Sequence, residues 1–231
     1  PDARYALPVG APGVVPEFRA TAMLAEAGVT FPASRFVTGL ADAQAAAREI
    51  GYPVALKLQS HALSHKTEAG AIALALTGDE ALAQAWERLH RNVAAANASV
   101  RVEGAPVAAM APAGFELIAG ARRDPEWGTV LLAGLGGIWA EAFADTVLIA
   151  GDADEDGILH ALDGLRSATI LHGTRNAPPL DVRAVARILR VLGDVLAATP
   201  SITEIELNPL RVYADGALAL DALIVAAARI G

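Results

Sequence analysis

The sequence predicts a mixed α/β chain, and three features predict it. Apolar runs of strand length recur from VALKLQ (54–59) to ALALDALIVAA (217–227). Stretches with a 3.6-residue apolar period, above all DVRAVARILRVLGDVLAAT (181–199), lie between them. Gly, Pro and Asp punctuate the joins, as turn chemistry requires.

Element by element, PDARYALPVGAPGVVP has the spaced prolines and glycines of an extended linker, and residues 1–15 are expected to be one. The chain starts on Pro1 and reads as part of something longer. PEFRATAMLAEAGVTFP is a helix with Pro16 at its start and Gly28 past its end, and residues 16–35 comprise this helix and a connector. SRFVTG is a short strand, ADAQAAAREIGYP a helix stopped by Gly51 and Pro53, and VALKLQ and AIALAL are strands. GDEALAQAWERLHRNVAAAN is a long helix. After VAAMA, the segments FELIAGARR, TVLLAGLGG and AEAFADTVLIA read as strands. The 181–199 helix is followed by two closing strands, TEIELNPLRVY and ALALDALIVAA.

Composition narrows the function. With 231 residues and 54% hydrophobic content, the chain has enough apolar material for a large core or two smaller ones. No apolar run approaches the roughly 18 residues of a membrane span, and no basic-then-apolar signal opens the chain. The absence of cysteine removes thiol chemistry, disulfides and thiolate zinc sites, and fits a cytoplasmic enzyme. A net charge of −8 disfavours a nucleic-acid partner, so any phosphate bound here is expected to be small and held locally.

The closing strands bring oxygen donors together. Asp215-Gly216 is a two-residue hairpin signal, which pairs Ala214 with Ala217 and sets Leu210 opposite Asp221. Strand alternation then places Glu206, Asn208 and Leu210 on one face, with Asp221 diagonal to Asn208. Asp and Asn are poor strand formers, so either a hard cation such as Mg²⁺ compensates them or the face is simply solvated.

Among 18 basic residues the only lysines are Lys57 and Lys66. Two compact point charges surviving nine residues apart in an arginine-biased chain mark a site or a coincidence. Lys57 lies in VALKL, where a buried face would demand an anion such as a nucleotide phosphate; an edge lysine reaching water is the alternative. His61 and His65 have helical zinc spacing but sit in a connector without the motif's glutamate. His65 beside Lys66 has the chemistry of a phosphoryl carrier, or is a surface histidine. GLGG (134–137) either lets backbone N–H groups approach a phosphate or forms a tight turn, and Arg122-Arg123-Asp124 is a phosphate clamp or a surface ion pair.

Together, GYPVALKL, SHKTEAG, FELIAGARRDPEWG, LLAGLGGIWAE and EIELNPLRVYADGALALDA resemble, in order and spacing, the ATP-grasp region of NDP-forming acyl-CoA synthetases, relatives of succinyl-CoA synthetase, over about residues 16–228. The resemblance implies reversible exchange of acyl-CoA, ADP and phosphate with free acid, CoA and ATP, through an acyl phosphate and a phosphohistidine. It implies an ATP-grasp fold of two α/β lobes, a smaller one over 36–112 and a larger one over 113–231, with nucleotide between them. Lys57 matches the nucleotide-phosphate lysine, and Glu206, Asn208 and Asp221 the Mg²⁺ positions. His65, with Lys66 beside it, matches the loop thought to relay phosphate, and Glu116, Arg123, Gly136 and Gly137 match the nucleotide-binding ELI, RDP and GLGG motifs.

The implied ligands are ATP or ADP and Mg²⁺, and the implied partners are CoA-binding and ligase domains, upstream in the same chain or on a separate subunit. Homo-oligomerisation is left open. Three positions depart from the pattern: Ala71 where a second glycine usually follows Gly70, Ala108 where a glutamine often precedes the methionine, and Ile149 where an arginine is common. Those departures favour a nucleotide-sensing module without turnover, whereas Lys57, His65 and the metal positions favour an enzyme. Another ATP-grasp carboxylate ligase would have no need of His65.

Overall fold

The computed structural model describes residues 5–9, 12–60, 70–97, 99–137, 143–175 and 177–227. Two compact units are present: Pro32–Pro112, and a larger one made of Pro1–Phe31 with Ala113–Gly231.

The smaller unit comprises β2 (Ser34–Val37), α2 (Leu40–Ile50), β3 (Val54–Lys57), β4 (Ile72–Leu76), α3 (Asp79–Ala96) and β5 (Ala105–Ala109). The four strands form an antiparallel sheet in the order β2-β5-β3-β4. The helices bury Ala43, Ala46 and Ala47 of α2 and Leu82, Ala85, Leu89 and Val93 of α3, spaced three and four residues apart as a helical stripe requires. At the start of α3, Asp79 accepts from the Tyr52 hydroxyl at 2.7 Å and pairs with Arg48. Burial, then the bond to Asp79, pushes the Tyr52 phenol up to about 12, so it stays a donor.

The larger unit begins with β1 (Gly13–Val15) and α1 (Glu17–Glu26). It continues with β6 (Phe115–Asp124), β7 (Gly128–Leu135), β8 (Thr146–Ala150), α4 (Glu155–Leu162) and α5 (Ala168–Leu171), and ends with α6 (Val182–Ala198), β9 (Ile202–Tyr213), β10 (Gly216–Ala219) and β11 (Ala222–Ala226). Its strands form one sheet in the order β1-β11-β9-β6-β7-β8, with β10 also paired to β9. Val185, Leu189, Leu192 and Leu196 of α6 fall on one buried stripe and join Leu117, Leu131, Ile205 and Leu210 of the sheet in the core.

Several expectations are corrected here. Gly13–Val15, read as linker, pairs antiparallel with Ile224–Ala226 as a sheet edge, and Leu7 is buried. Pro12 and Pro16 flank β1, where they remove no ladder hydrogen bond. The closing run ALALDALIVAA is two strands, β10 and β11, broken at Leu220 and Asp221. Helices α4 and α5 are not expected from the sequence; α4 buries Ile158 and Leu162, four residues apart, and is capped by Asp154, whose Oδ1 accepts from Gly157 N at 2.8 Å.

Candidate functional site

Glu206 and Asn208 are side-chain neighbours: Asn208 Nδ2 donates to Glu206 Oε1 at 3.1 Å. The hairpin beyond them has a different register from the expected one. Tyr213 pairs with Gly216 and Leu210 with Ala219, so Ala214 and Asp215 make the turn. In β11, Ala222 pairs with Leu207 and Leu223 with Glu206, and the same register carried back one residue sets Asp221 directly across from Asn208, not diagonal to it.

Leu210 does not share the Glu206 face. Leu117 and Ala119 of β6 oppose Leu210 and Leu207 of β9, so β9 carries one extra residue at Asn208-Pro209. That bulge reverses the alternation: Leu207 and Leu210 both enter the core, while Glu206 and Asn208 point the other way. Asp221 Oδ1 accepts from Ala222 N at 2.8 Å, which fixes the carboxylate at the strand break. Among the described residues no three His, Cys, Asp or Glu side chains gather as a metal cluster. The donors here are two carboxylates and one amide oxygen, a hard set that fits Mg²⁺ with water and phosphate oxygens completing the shell.

Three residues beyond Asn208, Arg211 pairs across the strands with Glu116. Arg211 Nη2 meets Glu116 Oε1 at 2.5 Å, with the two side chains 19% and 27% exposed. Glu116 also shapes the glycine turn after β7. Its carbonyl accepts from Gly136 N at 2.8 Å, so that amide is engaged and unavailable to a phosphate. A Cβ on Gly136 would lie 2.8 Å from the Leu117 backbone, and one on Gly137 (φ +66) would lie 2.6 Å from Glu116 Oε2. The glycines therefore permit close approach of β7 to Glu116 and its strand.

Glu116, Gly136 and Gly137 open into a cavity of about 930 Å³, also walled by Phe143, Asp145 and Arg166. Asp145 is buried (5% exposed), and its two oxygens accept from Arg166 N and Ser167 N, each at 2.8 Å. Burial alone would raise the Asp145 carboxyl, but the donors at Ser167 and the Arg166 amide outweigh it and hold the group below the usual carboxylate value. The Asp145 carbonyl accepts from Leu135 N at 2.8 Å, which ties this clasp to the glycine turn. The Arg166 guanidinium in turn donates to the carbonyls of Phe143 and Ala144, and Ala144 lies in the left-handed region (φ 42).

Arg123, expected to serve the nucleotide, has its guanidinium engaged by backbone. Its guanidinium donates to the carbonyls of Leu196, Thr199 and Ile202, satisfying acceptors at and just beyond the C-terminus of α6. Lys57 ends β3, half-buried beside the fully buried Leu56 and Leu58, in the smaller unit. His65 and Lys66 lie outside the described residues. Of the three departures, Ala71 and Ile149 are buried in their respective cores, and Ala108 is a mid-strand residue paired with Ser34 and Ala55.

The site thus joins two groups along β9: Glu206 and Asn208 with Asp221 across from them, and Arg211 with Glu116 and the glycine turn. Arg211 and Asp145 escaped sequence reasoning; the one signal for Arg211 was a charge three residues after Asn208 in a strand.

A family model described as an ATP-grasp domain matches residues 11–226. The chain belongs to the ATP-grasp family. This ATP-grasp chain is 43% identical over 215 residues to a trans-feruloyl-CoA synthase from an unknown prokaryotic organism, covering 92% of the chain and 30% of that protein. It is 32% identical over 212 residues to the beta subunit of acetate–CoA ligase (ADP-forming) II of Pyrococcus furiosus, covering 90% of each. The chain therefore spans less than a third of the one relative and nearly all of the other. The relatives are named acid–CoA ligases or synthases, and the ATP-grasp segment is one component of them.

Among solved structures, the Ca. Korarchaeum cryptofilum dinucleotide-forming acetyl-coenzyme A synthetase 1, in complex with coenzyme A, Ca-AMPCP and HgCl⁺, superposes with a TM-score of 0.89 at 29% identity, covering 93% of this chain and 94% of that one. The same enzyme with coenzyme A and Mg-AMPPCP, its phosphohistidine segment pointing towards the nucleotide binding site, superposes with a TM-score of 0.81 at 28% identity, covering 93% of each chain. Among the described residues no helix is long and apolar enough to cross a membrane.

Proposed function

We propose that this chain is the nucleotide-handling part of an ADP-forming acyl-CoA synthetase, exchanging a phosphoryl group between Mg²⁺-nucleotide and a phosphohistidine. The observation that carries this reading is the bulge in β9, which turns Glu206 and Asn208 out of the core, in register with Asp221, in a chain homologous to a ligase beta subunit along 90% of its length.

Glu206, Asn208 and Asp221 would hold the cation, which supplies neutralisation of charge on the phosphate oxygens. Lys57 adds a point charge for the nucleotide phosphates, as the resemblance implies. Glu116 contributes an acceptor at the glycine turn. His65 is the proposed relay: a β-phosphate oxygen of ADP attacks the phosphorus, the electron pair of the phosphorus–nitrogen bond returns to the ring, and with a proton on the other ring nitrogen the imidazole leaves neutral. The acid and CoA belong to CoA-binding and ligase domains, fused or separate, since the relatives include both a much longer chain and a beta subunit of this size.

The test is phosphoryl transfer. With its ligase partner, Mg²⁺ and γ-labelled ATP, the wild-type chain should acquire an acid-labile, base-stable label that His65→Asn abolishes. A chain that binds Mg-ATP yet never carries label in the partner's presence is a nucleotide sensor, and the relay is then wrong.

A further inference from the structure

We infer that Arg211 is a positioning residue of the nucleotide site, acting through Glu116; this rests on the function proposed above. Arg211 and Glu116 are cross-strand partners on β9 and β6, and the guanidinium Nη2 meets the carboxylate at Oε1, at 2.5 Å. The other oxygen, Oε2, is thereby directed over Gly137, where a Cβ would meet it at 2.6 Å, at the wall of the cavity.

The arginine itself is held from the far side. A Cβ on Gly114 would come within 2.7 Å of Arg211 Cγ and of the Tyr213 ring, so the absent side chain at Gly114 is what lets the arginine stem lie across β6. Glu116 is thus clamped at one oxygen by a charge and fenced at the other by a glycine turn, whose own Gly136 amide bonds the Glu116 carbonyl.

A part-buried ion pair of this kind adds little stability over an apolar pair of the same shape, because the desolvation of the two charges offsets much of their attraction. What it secures is placement: an ionised acceptor at a fixed point, beside the turn and three residues along β9 from Asn208. Without Arg211, Glu116 loses the partner that fixes Oε1 and is free to rotate toward water, and Oε2 is then no longer presented to a donor group of the bound nucleotide.

The experiment is a double-mutant cycle on the Kd for Mg-ADP, measured by titration calorimetry on the full chain, with folding checked by circular dichroism. Arg211→Met and Glu116→Gln should each weaken binding about tenfold, and the double variant should bind no worse than Glu116→Gln alone, because one residue acts through the other. Arg211→Lys, which keeps the charge, should recover part of the loss. If Arg211→Met fails to fold, the Arg211→Lys and Glu116→Gln cycle carries the same comparison. Binding by a folded Arg211→Met within about twofold of wild type, or losses that multiply in the double variant, overturns the inference. Failure of the wild-type chain to bind Mg-ADP removes the nucleotide reading and this inference with it, whereas wild-type binding that ignores Arg211 removes this inference alone.

Discussion

Asn208 donates its amide N–H to Glu206 Oε1 at 3.1 Å, which leaves Asn208 Oδ1 as the acceptor its side chain offers a cation. The bulge at Asn208-Pro209 keeps that oxygen out of the core while Leu207 and Leu210 on either side are buried. A polar pair held in this way gives the first prediction its basis.

Millimolar Mg-ADP should raise the melting temperature of the wild-type chain, since a ligand bound only by the native state adds RT ln(1 + [L]/Kd) to stability. Asp221→Ala removes a carboxylate across from Asn208 and should abolish the magnesium dependence of that rise while leaving the ligand-free melting temperature within a few degrees. Thermal shift with and without EDTA decides it. An unchanged magnesium dependence would mean that the polar face of β9 is merely solvated.

The two glycines should fail differently. Gly136→Ala drives a methyl into the Leu117 backbone, which cannot give way, and should cost about 3 kcal/mol in urea denaturation. Gly137→Ala meets a movable carboxylate tip instead, but at φ +66, so its smaller stability loss should be accompanied by displacement of Glu116 and weaker Mg-ADP binding. Equal stability losses with unchanged Kd would contradict the close-approach account.

Arg123 is expected to matter for folding and not for ligand. Arg123→Ala removes the guanidinium donors to the carbonyls of Leu196, Thr199 and Ile202 and should lower stability by about 2 kcal/mol, with the Kd for Mg-ADP unchanged in the folded fraction. A weakened Kd in a variant of wild-type stability would restore the phosphate role.

Acid should loosen the Asp145 clasp. Its carboxyl lies below the ordinary value in the folded state, so its contribution is complete above the unfolded value, about 3.9, and is lost as pH falls through the lower folded value. Melting temperature should therefore drop between about pH 5 and pH 3 more steeply for wild type than for Asp145→Asn, which has no proton to take up. Asp79 and Asp124, also lowered, titrate in both proteins and cancel from the comparison. Parallel curves would show that the Asp145 charge is not what the two amides stabilise.

The alternation of apolar strands and periodic helices and the ends of α1 and α2 were legible in the sequence, because each is set within a few residues along the chain. Asn208 and Asp221 stood out as misfits to strand chemistry without any knowledge of what lay beside them. Register was not legible. Asp215-Gly216 favours one hairpin turn locally, yet pairing with β6 and β11 on either side of β9 selected the turn at Ala214-Asp215, and the bulge decided which face Leu210 would join. Arg123 carried no mark of its partners 73 to 79 residues away, nor did Glu116 of Arg211 95 residues on. A guanidinium in a strand is chemically equal to a phosphate clamp, a helix cap or a buried ion pair until the tertiary structure brings one acceptor within reach and desolvates the rest.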